Sequence, residues 1–390
     1  MKGPRITGLE LYPVATERET GVVNGHILLK VNAEGGQYGW GELSDLSHPP
    51  FFAFDVPELH RTLEALLVGH DAFDLAGIEE ILLRVYPDEG HVYSNGGLMR
   101  FAADVALHDL MGRALGVPVH YLLGGHRRTH IKQNYPIYPC KSEADVERNI
   151  GRVRERQVQG FDLIRYYTGH HPDMDERFLQ RLAEEFGGAV RVKSLDFTNL
   201  YNARDALRLA ERLAPYQYDM IESPVRRNDT AGLAEFRRFV RVPVSEHVYN
   251  AAHAVQLIEA RAVDIVNIAP YLVGGLRAAA RLFALCDAHS IETLIGTTQE
   301  LSVGTAAIAH LGAAMPNLDY PCDTVGPALY REDVVRERVR FEGGSLVVPD
   351  GPGIGVEPDM ALLEALAHPL SWTQGRLAGK TGDLSQWRRH

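Results

Sequence analysis

The chain has 390 residues, too many for one ordinary hydrophobic core, so two structural units are expected. Its 40 basic and 51 acidic residues leave a formal net charge of −11, which argues against nucleic acid and anionic membrane as main partners. The three cysteines, Cys140, Cys286 and Cys322, are scattered without paired spacing and fit a reducing cytoplasm better than a disulfide framework.

The N-terminus carries no apolar signal core, and no run approaches membrane-spanning length, so a soluble cytoplasmic protein is expected. Residues 5–45 read as β structure, with "RITGLELYPVA" and "GHILLKVNAEGGQYGWGEL" alternating apolar and polar positions. From about 56 to 125 apolar residues recur three and four apart, as in "LMRFAADVALHDLMGRALG", which predicts helices. From 131 onward short apolar runs alternate with helical patterns: "IKQNYPIY", "FDLIRYY", "VRVKSLD", "YDMIES", "VPVSEH", "VDIVNIAP" and "IETLIG". Such alternation means parallel strands joined by crossover helices, and seven or eight units suggest a (β/α) barrel. The segment "FEGGSLVVPDGPGIGVEP" returns to hairpin chemistry, and the polar tail "SWTQGRLAGKTGDLSQWRRH" is expected to be poorly ordered. The predicted division is an α+β unit over 1–128, a barrel over 129–330 and a C-terminal segment over 331–390.

Three acids end consecutive strands: Asp196 in "VRVKSLD", Glu222 in "YDMIE" and Glu246 in "VPVSE", spaced about one βα repeat apart. Strand ends converge on one face of a barrel, where barrel active sites form. Close carboxylates do not all stay ionised without a cation, and hard oxygen donors suit Mg²⁺. The plainer alternative, solvated acids or helix caps, explains one such residue better than three in register. The strand "FDLIRYY" adds Arg165 and Tyr167, which period-two alternation puts on one face.

With these motifs the chain resembles the enolase superfamily, in its mandelate racemase and muconate-lactonizing branch. The resemblance rests on "GWGE", "AADVALHDLMGRALGVPVHYLLGG", the three acids, "GGLRAAARLFALCDAHSI" and "VPDGPGIGVEPD", in that order over nearly the whole chain. It implies an α/β fold: a modified (β/α) barrel with an N-terminal α+β capping domain completed by C-terminal residues. It also implies Mg²⁺ on Asp196, Glu222 and Glu246, a small carboxylate substrate that loses its α-proton, an enediolate stabilised by the metal, and a homo-oligomer.

The chain departs from that pattern at the base. Arg165 and Tyr167 stand where related sequences carry Lys-x-Lys, Ala269 stands at the sixth-strand base position, and "TLIGTTQE" offers no dyad histidine. Tyr167 is therefore the first candidate base, with Arg165 favouring its phenolate or clamping the substrate carboxylate. His247, next to Glu246, is a candidate acid for a leaving hydroxyl or a contact to substrate hydroxyls. Glu300 is a candidate for hydroxyl binding or proton transfer, or a helix cap. Tyr271 is expected near the site, Lys193 to point toward the helices, and His108 and His310 to be structural. The loops "ATERETGVV" and "DLSHPPFFAF" are expected to touch substrate.

The reading is a Mg²⁺-dependent lyase that dehydrates a sugar acid. A racemase or epimerase, a cycloisomerase, and a binding protein that kept the metal without catalysis are its alternatives. Ala269 counts against a racemase, which needs bases on both faces of the α-carbon.

Overall fold

The computed structural model describes residues 2–44, 46, 55–88, 90 and 95–370, with the backbone alone at 372–373 and 376–377. The loop residues "HPPFFAF" and the rest of the polar tail lie outside the described residues.

The chain begins as a three-stranded antiparallel sheet, β1 (Ile6–Glu17), β2 (Val23–Ala33) and β3 (Tyr38–Leu43). Four helices follow: α1 (Val56–Leu67), α2 (Leu75–Val85), α3 (Asn95–Leu115) and the single turn α4 (Val119–Leu122). The "GWGE" motif explains how α3 seats on β3. A Cβ at Gly41 would lie 1.9 Å from the Ala102 carbonyl oxygen, so only glycine lets the helix backbone come this close.

Next, β4 (His130–Lys132) opens the second unit, and β5 (Tyr135–Ile137), β6 (Leu163–Tyr167), β7 (Arg191–Asp196) and β8 (Tyr218–Glu222) start its sheet. β9 (Val244–His247), β10 (Ile265–Ile268) and β11 (Glu292–Ile295) complete it, and all seven strands from β5 to β11 pair in parallel, in chain order. Residues 320–323 close the curl. Tyr320 N and Asp323 N donate to the carbonyls of Thr293 and Ile295 beside β11, while Cys322 N donates to Lys132 O and Asn134 N to Cys322 O. The strands are joined by α5 (Glu143–Val158), α6 (Pro172–Phe186), α7 (Ala203–Leu213), α8 (Thr230–Phe239), α9 (Ala251–Glu259), the turn α10 (Pro270–Val273) and α11 (Leu276–Ala288). Ser142, Asn202, Asp229 and Asn250 each cap such a helix by accepting from the amide three residues on, which is why these helices start where they do. The expected capped (β/α) barrel is the fold observed.

α12 (Ser302–Ala314) links barrel to cap. Glu42 of "GWGE" accepts from Leu301 N and Gly304 N, both at 2.8 Å, so a cap carboxylate sits at the positive end of a barrel helix. After α13 (Gly326–Leu329), the hairpin β12 (Phe341–Glu342) and β13 (Ser345–Val347) pairs onto β4. The chain then returns to β1 through α14 (Met360–Ala365): Ala15 N donates to Leu366 O and His368 N to Pro13 O, each at 3.0 Å. The last described backbone is the short pair β14 (Trp372–Thr373) and β15 (Arg376–Leu377). Among the described residues no helix is long and apolar enough to cross a membrane.

One irregularity shapes the interior. Ile164 pairs with Val192 but Arg165 pairs with Ser194, so β7 carries one extra residue, Lys193, against β6. Such a bulge breaks the alternation of side chains along the strand.

Candidate active site

The ends of β6 to β9 bring Arg165, Tyr167, Asp196, Glu222 and His247 together, as parallel strands of similar length must. Tyr167 pairs with Asp196, and Asp196 with Glu222, so these three share one face. Arg165 is almost fully buried, and its Nη2 lies 2.5 Å from Asp196 Oδ2 and 2.9 Å from Glu222 Oε1. Its Nη1 reaches Asp323 Oδ2 at 3.5 Å. The guanidinium carbon stands 4.7 Å from the Tyr167 ring centroid, and Tyr138 stacks parallel to Tyr167 with centroids 5.6 Å apart. Arg165 is therefore tied to three acids while its guanidinium lies over the Tyr167 ring.

Burial resists ionisation of both strand-end acids, and Arg165 favours it, with opposite net results. Glu222 has His247 as a second partner and is held well below the usual carboxylate range. Asp196 is pushed up by burial and by the charge of Glu222, against the pull of Arg165. The Arg165 guanidinium itself is raised far above its usual value: burial opposes its charge, and the Glu222, Tyr167 and Asp196 charges outweigh it.

The strand β9 departs from one expectation, that Glu246 shares the face of Asp196 and Glu222. Glu222 pairs with Ser245, so the residues on its face are Ser245 and His247, not Glu246. His247 Nε2 lies 3.1 Å from Glu222 Oε1, and its Nδ1 is buried with no hydrogen-bond partner. Asn267, its register partner on β10, donates to Glu222 Oε1 at 3.2 Å. Glu246 instead accepts from Ser223 Oγ (2.7 Å), His247 N (2.9 Å) and Asn199 Nδ2 (3.0 Å), and burial raises its carboxyl.

Lys193 is the second correction of direction. Expected to point at the helices, it is fully buried with Nζ 2.9 Å from Asp323 Oδ1, because the bulge turns it to the barrel interior. Asn134 Nδ2 shares that oxygen at 2.5 Å. Asp323 carried no sequence signal of its own; its place on the closing eighth segment is a product of the tertiary fold.

Glu300 is fully buried and turned onto its own loop: Oε1 accepts from Thr298 N and Oγ1, both at 3.1 Å, and Oε2 from Thr297 Oγ1. Burial raises its carboxyl. Ala269 and Tyr271 are buried at the start of α10. The loop "ATERETGVV" bonds the barrel: Arg18 donates to Tyr330 Oη at 3.2 Å and to Thr298 O at 3.5 Å, while Glu19 accepts from Tyr135 Oη at 2.6 Å. His108 and His310 are buried away from these groups, His108 on Asp104 and His310 on His120.

The donors expected to hold Mg²⁺ do not fit it in this arrangement. Among the described residues no three His, Cys, Asp or Glu side chains gather in a geometry that could hold a metal ion. Asp196 and Glu222 close on the Arg165 guanidinium, and Glu246 is directed elsewhere.

Residues 6–124 match the family model for the mandelate racemase/muconate lactonizing enzyme N-terminal domain, and residues 149–362 match the enolase C-terminal domain-like model. The chain is 30% identical to an N-succinylamino acid racemase of Amycolatopsis sp, over 94% of this chain and 99% of that one. It is 28% identical to a D-xylonate dehydratase of Haloferax volcanii, over 90% and 88%. A muconate lactonizing enzyme from Pseudomonas fluorescens, solved with muconolactone, superposes with a TM-score of 0.83 at 21% identity, over 94% of this chain and all of that one.

Proposed function

The chain belongs to the mandelate racemase/muconate lactonizing enzyme family of the enolase superfamily, and from that membership we propose that it is a lyase removing water from a polyhydroxy carboxylate. The observation that carries this reading is the Glu222–His247 pair, with Nδ1 buried and unpartnered. A carboxylate on one ring nitrogen fixes the imidazole and leaves the other nitrogen for proton transfer to a bound molecule.

Tyr167 takes the α-proton as phenolate, favoured by the Arg165 charge over its ring. The C–H electron pair becomes the Cα–Cβ double bond, the bond from Cβ to its hydroxyl breaks, and His247 Nδ1–H protonates that oxygen so that it leaves as water. The resulting enol tautomerises to a 2-keto acid, and solvent resets both side chains. Buried Ala269, just past the end of β10, supplies no acid or base, which favours a one-base elimination over racemisation, although one relative is named a racemase. The D-xylonate dehydratase among its relatives lends the substrate class.

A panel of aldonic and uronic acids incubated in D₂O and followed by proton NMR tests the proposal. A 3-deoxy-2-keto acid from at least one of them is expected. Exchange or inversion at the α-carbon without keto acid would make the protein an epimerase. Lactone formation would make it a cycloisomerase, and neither exchange nor product from any acid would return the binding-protein reading.

A further inference from the structure

We infer that Arg165 is the resident cation of this site, standing between Asp196 and Glu222 where the family resemblance puts a divalent ion. The two acids that pattern would place on a metal are the two that share Arg165 Nη2, at 2.5 and 2.9 Å. Three features fix the guanidinium there. It lies over the Tyr167 ring, it reaches Asp323 through Nη1, and its register partner is the small Ser194. Arginine does not lose its proton inside a protein, so the charge is permanent.

The ion pairs around the guanidinium agree. Asp196, Glu222 and Asp323 bring three negative charges to this cluster, and Arg165 and Lys193 bring two positive ones. Glu246, already holding three hydrogen bonds, takes no part. A divalent ion added here meets a guanidinium already seated between Asp196 and Glu222. Arg165 Nε is buried without a hydrogen-bond partner, so one N–H of the fixed cation remains for a substrate oxygen. The inference concerns which cation the site holds, and it stands or falls independently of the reaction proposed above.

The test is Mn²⁺ binding followed by electron paramagnetic resonance, with the full-length protein and Arg165→Met. Removing the guanidinium frees two buried carboxylates, so Arg165→Met is expected to bind Mn²⁺ at least ~10-fold more tightly than the unaltered protein. Equal or tighter binding by the unaltered protein overturns the inference. If Arg165→Met does not fold, the unaltered protein is compared with Asp196→Asn/Glu222→Gln. Equal, weak Mn²⁺ binding by both supports the resident arginine, and binding that disappears in the double variant overturns it.

Discussion

His247 Nε2 lies 3.1 Å from Glu222 Oε1, so an imidazole and the carboxylate of the neighbouring strand act as one unit at the barrel mouth. His247→Asn is expected to lower kcat by ~10²–10⁴ with little change in KM, the range for loss of a general acid. Glu222→Gln should do likewise, and the double variant should be no worse than the poorer single one, because the two residues form one device. Steady-state kinetics on the substrate found by the acid panel decide it; additive losses would separate the two roles.

Tyr167→Phe keeps the ring that Arg165 and Tyr138 stack against and removes only the hydroxyl. Turnover is expected to fall by ~10²–10⁴ while unfolding stability stays within ~0.5 kcal/mol. Undiminished turnover removes Tyr167 from the mechanism.

Among the described residues, Lys193→Met leaves the Asp323 carboxylate with Asn134 and the longer Arg165 contact. Breaking one side of a buried ion pair costs about 3–5 kcal/mol, so a large drop in the urea midpoint is expected. A change below ~1 kcal/mol would mean that Lys193 is not buried against Asp323 in solution.

Gly41→Ala drives a methyl group into the Ala102 carbonyl of α3, 1.9 Å from the ideal Cβ. Overpacking of this kind costs ~1–3 kcal/mol or more, and here the obstacle is backbone that has no rotamer to change. Thermal melts of the variant should show the loss in the cap.

His310 Nδ1 faces His120 Nδ1 at 2.9 Å, and burial lowers both imidazoles, His310 to about 3. A base whose folded pKa lies below its unfolded value of about 6.5 contributes stability above that pH, and loses it as pH falls toward the folded value. Between about pH 6.5 and 3 the unfolded chain binds more protons at His310, so stability should drop by up to ~1.4 kcal/mol per pH unit from that group. Urea midpoints at pH 7 and 5 measure the drop, and His310→Gln should reduce the slope.

Much of the architecture could be read before any coordinate. The alternation of short apolar runs with helical patterns past residue 131 specified parallel strands, and the spacing of Asp196 and Glu222 matches their pairing on neighbouring strand ends. What could not be read was phase. Glu246 and His247 are adjacent, and only the pairing of Glu222 with Ser245 shows which of them faces the acid. Asp323 gave no local signal, because its partners Arg165, Lys193 and Asn134 are 130 or more residues away in the chain.

The sequence alone determined the order of elements and the parallel (β/α) barrel, because local periodicity and strand ends are properties of neighbours in the chain, and the family resemblance added the cap. Tertiary structure decided which cation those acids hold. One extra residue in β7 turns Lys193 inward, and the closing segment brings Asp323 to meet it and Arg165. Electrostatic pairing in a closed barrel depends on groups that only folding brings within reach, and no spacing along the chain encodes those distances.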